Sequence, residues 1–190
     1  MSKKLWLLIS VLSDALSACL AWALFYAFRK TYVESLKFGE QIPLEFNEKF
    51  WLGLLLIPVF WVVLYALSGS YHQIFRKSRL RELSRTAVST LLGTTILFFL
   101  LLLDDTIGDY RSYYKLFFAL LVLHFSCTWF FRFIISTSIV KKVHQRIIGF
   151  NTILIGSNSR ALELYSEMEG MKKSSGNRFL GYIHIQNKNG

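Results

Sequence analysis

Apolar residues along this chain fall into four long runs separated by short polar stretches, after which the pattern changes. The runs span residues 5–28, 50–67, 86–103 and 116–139. At about 1.5 Å per residue, each can cross a hydrocarbon layer of roughly 30 Å as a helix. Lipid offers the backbone no hydrogen bonds, so runs of this kind must satisfy themselves as helices. Trp6, Tyr26, Trp51, Tyr65, Tyr71, Tyr113 and Tyr114 lie at or near run ends, where interfacial aromatics belong. A soluble protein this small would have to pack four helices apolar all round, which the pattern disfavours.

From Asn151 the period shortens. Asn151-Thr-Ile-Leu-Ile-Gly156 is a β-branched run that ends in glycine and predicts a buried strand. Ser157-Asn158-Ser159 follows as a turn, with Ser159 the expected N-cap of a helix. Ala161, Leu162, Leu164, Tyr165 and Met168 recur at helical spacing between Glu163, Glu167 and Glu169. Phe179-Leu-Gly-Tyr-Ile-His-Ile185 predicts a second strand, completing one β-α-β unit. The expected fold is therefore an α-helical membrane protein. Four transmembrane helices fill residues 1–145, and the opening β-α-β of a Rossmann-like α/β domain fills 146–190. Some 40 residues after Asn151 are too few to fold alone, so a longer protein is expected, with this chain as its N-terminal portion.

Composition sharpens this picture. The chain of 190 residues is 53% hydrophobic, 16% aromatic and only 18% charged, yet carries a net charge of +10. A soluble domain is about one quarter charged. The loop after the first run is neutral, and the outer loops together hold six basic and seven acidic residues. The second loop holds Arg76, Lys77, Arg79, Arg81 and Arg85 against Glu82 alone, and Lys141, Lys142 and Arg146 follow the fourth run. Lysine and arginine excess marks cytoplasmic loops, so both termini and the second loop are expected in the cytoplasm. The basic second loop reads first as this orientation signal and second as an attraction for anionic lipid. Nucleic-acid binding falls away, because the tail from Asn151 has five basic and three acidic residues and no aromatic-basic patch.

Two cysteines, Cys19 and Cys127, both fall inside apolar runs and give no disulfide or metal framework. Leu16-Ser17-Ala18-Cys19 resembles a lipoprotein cleavage box, but Asp14 interrupts the run before it and the apolar residues continue through Phe28. An uncleaved helix is expected. Asp14 itself is costly in lipid, by about 2.5–3.5 kcal/mol if ionised, and needs a partner. Depth counting places Arg132 within about 5 Å of its level, which predicts an intramembrane Asp14–Arg132 ion pair as a packing device. His124 is the alternative partner. Asp104 and Asp105 read as a solvated helix end, and Pro58 as a kink in the second helix. No catalytic residue and no metal ligand set is assigned.

The turn Gly156, Ser157, Asn158, Ser159 links a strand to a helix start, where backbone N–H groups could cradle a nucleotide phosphate or another anion. It departs from the dinucleotide fingerprint, with Asn158 and Ala161 in place of the second and third glycines. Gln186 and Asn187 also replace the acidic residue that would hold a ribose. NAD is disfavoured. A purely structural turn and a site for another nucleotide or anion both stay open.

Several strings in order resemble one family. They are Trp61-x-x-x-Tyr65-x-x-Ser-Gly-x-Tyr71, Arg76-Lys-Ser-Arg-Leu-x-Glu-Leu83, Leu103-Asp-Asp105, Gly149-Phe-Asn-Thr-Ile-Leu-Ile-Gly156 and Gly176-Asn-x-Phe-x-Gly181-Tyr. Together they are similar to the N-terminal half of the large bacterial polyprenyl glycosylphosphotransferases, ending at the start of that family's CoA-binding-like domain. The resemblance implies transfer of hexose 1-phosphate from a UDP-sugar to undecaprenyl phosphate, which initiates exopolysaccharide, capsule or O-antigen synthesis. It also implies a bacterial inner membrane location. The family's Asp-Glu pair and its Mg²⁺ belong to a C-terminal module, through which UDP-sugar and undecaprenyl phosphate would bind, so neither cofactor nor catalytic residue is expected in this chain. Other partners implied are the bilayer and possible further copies in a homo-oligomer. The competing readings are a membrane-bound nucleotide-sugar dehydratase or epimerase and a non-catalytic membrane scaffold.

Overall fold

The structure is a computed structural model that describes residues 3–35, 43–72, 79–102, 110–156 and 158–184. Four helices are long and apolar enough to cross a membrane, over Lys4–Val33, Glu48–Leu67, Leu80–Leu100 and Ser112–His144. The first, α1, covers Lys3–Phe28 and widens into a π-helical turn at Arg29–Glu34. Helix α2 covers Glu48–Leu67, α3 covers Arg79–Leu97 with a π-helical end at Phe98–Leu102, and α4 covers Tyr110–His144. Compared with the apolar runs, α3 starts earlier, because Arg79 to Arg85 join it as a polar first two turns. The expected features at Arg76, Lys77, Leu103, Asp104, Asp105, Ser157, Gln186 and Asn187 lie outside the described residues.

The chain divides into two compact units, Met1–Ile135 and Ser136–Gly190, with the boundary inside α4. In the first unit, α1 shows how the pattern works. Leu8, Leu12, Leu16, Leu20 and Leu24 stay exposed along one stripe, while Asp14, Ser17, Ala18, Ala21 and Phe25 are buried. Leucines outside with small and polar residues inside is the arrangement suited to lipid, where close packing and interhelical hydrogen bonds hold helices together. The core gathers Ala18, Phe25, Ile57, Trp61, Leu64, Tyr65, Leu97, Leu116 and Leu120.

Glycines set the closest approaches. A Cβ built on Gly53 would collide with the Trp22 ring, and one on Gly93 with the Trp61 ring and Leu64. Helix α2 opens on Asn47, whose side chain accepts from the Phe50 N–H at 3.1 Å, and closes at Gly69 with φ 68°. It continues through Pro58. Proline lacks the N–H that would reach the Leu54 carbonyl one turn back. Cys19 Sγ lies 3.9 Å from that oxygen and donates to it, so a neighbouring helix covers the group that proline frees.

The second unit holds the end of α4, then β1 (Phe150–Ile155), α5 (Ser159–Gly170) and β2 (Asn177–Ile183). The strands pair in parallel, and the register slips between Thr152 and Ile153, leaving Leu180 as the extra residue of β2. The cap of α5 is Asn158 and not Ser159: Asn158 is extended, and its side-chain oxygen accepts from the Ala161 N–H at 3.1 Å. Both residue types can cap, and the extended backbone at Asn158 decides between them. Arg146 ends α4 in the left-handed conformation, φ 60°, and its guanidinium holds the Glu169 carboxylate and carbonyl near the end of α5.

Candidate functional site

Three helices of the first unit turn polar residues inward at helical spacing. Asp14 and Ser17 come from α1, Thr86 and Thr94 from α3, and His124, Thr128 and Arg132 from α4. Between them lie Trp61 and Tyr65 of α2, both without exposure.

Asp14 and Arg132 meet in a bidentate pair. Arg132 Nε donates to Asp14 Oδ1 at 2.9 Å and Nη2 to Oδ2 at 2.8 Å, with the two residues 2% and 6% exposed. The remaining guanidinium nitrogen, Nη1, donates to Thr86 Oγ1 at 2.9 Å. Tyr71 donates its hydroxyl to Asp14 Oδ2 at 3.0 Å. Burial first, and then the charge of Asp14, hold the Tyr71 phenol well above its usual value, which keeps it a donor. The face of the guanidinium lies over the Tyr65 ring, 4.1 Å from its centroid. One carboxylate and one guanidinium thus tie α1, α3 and α4 to the turn that follows α2.

His124 does not take the place of Arg132. Its Nε2 lies 2.9 Å from the Tyr65 hydroxyl and 3.3 Å from Thr128 Oγ1, and its ring stacks on Trp61 with centroids 3.6 Å apart. Thr128 Oγ1 lies 3.3 Å from Ser17 Oγ, which itself donates to the Asp14 carbonyl. Polar contacts therefore run from α1 through α4 to α2 around the ion pair. Replacing Tyr65 by Phe removes the shorter of the two contacts at the imidazole nitrogen. A stability loss of about 1–3 kcal/mol is expected, read as a lower thermal midpoint in detergent. The double replacement of Tyr65 by Phe and His124 by Leu should recover much of it, because both polar groups then leave together.

The chemistry available to this cluster is structural. Every strong donor of Arg132 that points at Asp14 or Thr86 is committed, and neither charge faces a cavity large enough for a substrate. Among the described residues no three His, Cys, Asp or Glu side chains converge on a metal position. The residues described do not fit the Mg²⁺ that the family resemblance brings with it.

The turn at Gly156 borders a larger space. Gly156, Asn158 and Ser159 line one end of a cavity of about 600 Å³, whose walls include Leu154, Tyr165 and Phe179. Gly156 has φ 125°, a conformation that favours glycine. Ser157 lies outside the described residues. Asn158 spends its side-chain oxygen on the Ala161 N–H, one of the amides that an anion at this helix start would use. Phe179 closes the far side with a Tyr165 edge contact at 5.3 Å. The arrangement is that of a self-capped β-α turn beside an aromatic-walled space.

Tyr71, Thr86 and Tyr65 are the partners of the ion pair that sequence reasoning missed. A signal for two of them existed: Trp61, Tyr65 and Tyr71 belong to the first of the family-like strings. Thr86 stands eight residues before Thr94, the same inward stripe on α3. Comparison with family models, with curated proteins and with solved structures returns no match.

Proposed function

We propose that this chain is the membrane-embedded N-terminal region of a polyprenyl glycosylphosphotransferase, with a Rossmann-like cytoplasmic domain beginning at β1. The observation that carries this reading is a convergence. Tyr65 and Tyr71, which belong to the first family-like string, contact the Asp14–Arg132 pair directly, and Trp61 of the same string packs against Tyr65. The order of elements supports it as well, four membrane-length helices followed directly by a parallel β-α-β. In this reading the bundle anchors and positions, while hexose 1-phosphate transfer from a UDP-sugar to undecaprenyl phosphate is performed by residues outside this chain. The bundle would sit in a bacterial inner membrane with both termini and the basic start of α3 in the cytoplasm.

The test is a transfer assay with membranes from cells expressing the complete reading frame that encodes this chain. A UDP-hexose labelled in both the sugar and the β-phosphate should deliver both labels to the lipid fraction with release of UMP. Label that stays water-soluble for every common UDP-hexose counts against the proposal. Conversion of the nucleotide sugar to a keto or epimerised form would assign the chain to the dehydratase and epimerase class instead.

A further inference from the structure

Beside the ion pair lies a second, much smaller cavity, of about 20 Å³, walled by Ser10, Asp14, Ser70, Tyr71, Glu82 and Arg132. We propose that it binds one ordered water molecule as a fixed member of the polar cluster. This inference rests on the geometry alone and is independent of the transfer reading.

Size sets the first limit. A water needs roughly 10–15 Å³ of such space, so the cavity admits one and excludes phosphate, carboxylates and any organic group. Hydrogen-bonding capacity sets the second. Ser70, a residue of the cavity wall, is 1% exposed, and its buried hydroxyl has no hydrogen-bond partner among the described residues. A buried hydroxyl left in that state is destabilising. A carboxylate offers about four acceptor positions, and Asp14 uses three of them, one on Oδ1 and two on Oδ2. A guanidinium has five N–H groups, and Arg132 uses three. A water at this position can donate to Asp14 Oδ1, accept from Arg132 and pair with Ser70 Oγ. Those three partners are the usual number for a buried water. Charge sets the third limit: the Arg132 guanidinium in the wall disfavours a cation, which the carboxylates of Asp14 and Glu82 would otherwise invite.

The test is a crystal structure of the full chain in a lipidic phase, at a resolution that shows ordered water. One peak within hydrogen-bond distance of Ser70 Oγ and of Asp14 or Arg132 is expected. An empty cavity with Ser70 turned to a backbone carbonyl overturns the proposal, and so does a peak whose occupancy follows sodium concentration. X-ray radiolytic hydroxyl labelling supplies a second reading, because bound water generates radicals in place. Ser70→Ala should keep the labelling of Tyr71, and Ser70→Val, which fills the space, should lower it. Unchanged Tyr71 labelling in a folded Ser70→Val protein overturns the proposal. If that variant does not fold, the Ser70→Ala protein and the crystal structure decide.

Discussion

Replacing Asp14 by Leu should abolish recovery of a monodisperse protein, whereas replacing Asp14 by Leu and Arg132 by Met together should restore it. The single change leaves a guanidinium that is 6% exposed, inside an apolar bundle, without its anion. Breaking such a pair costs about 3–5 kcal/mol, a large share of the 5–15 kcal/mol that holds a typical domain folded. Removing both charges eliminates the desolvation cost together with the attraction, and buried pairs replaced in this way are often neutral or more stable. Tyr71 and Thr86 then each lose one hydrogen bond, so the double variant should fall short of the parent by about 1 kcal/mol for each. Size-exclusion profiles and thermal midpoints in detergent measure both effects. Exchanging the two charges should likewise rescue what either single reversal loses. A double variant as poorly behaved as Asp14→Leu would show that the pair is not what holds these helices together.

Gly93→Ala should also destabilise the bundle strongly, against the ordinary expectation for a helix. Alanine in place of glycine inside a helix normally stabilises by about 0.5–1 kcal/mol. Here the added Cβ has no room, because the Trp61 ring and Leu64 already lie against the glycine. Overpacking costs about 1–3 kcal/mol, and more when the neighbour cannot move. Trp61 cannot move freely, since it stacks on His124 and also packs against the rings of Phe60 and Tyr65. A lower midpoint for Gly93→Ala, relieved by a second change of Trp61 to Leu, would locate the strain at that contact. An unchanged or higher midpoint would show that the two helices can separate at no cost.

The four spans were legible because lipid and length impose so much: long apolar runs have few alternatives. Asp14 and Arg132 were legible as a candidate pair for the same reason, since a charge in lipid forces the question of a partner and depth can be counted along a helix. Tyr71 was not. It lies beyond Gly69, where the left-handed residue turns the chain, and helical periodicity says nothing about where such a turn points. In the sequence Cys19 carries no metal or disulfide framework, and Pro58 predicts only a kink. Their connection through the Leu54 carbonyl emerges only when two helices are placed side by side. In the tail the β-α-β order was readable from periodicity, while the choice of cap at Asn158 depended on backbone angles that sequence does not contain.

Asp14 and Arg132 are separated by 118 positions in the chain. A ribosome adding about 5–20 residues per second therefore makes the acid some 6–24 s before the base that neutralises it. During that interval the first helix must enter the bilayer carrying a carboxylate with no permanent partner. The carboxylate stays without its guanidinium partner until the span Ser112–His144 has been made. The ion pair thus makes the first of these four helices dependent on the fourth for the neutralisation of its charge.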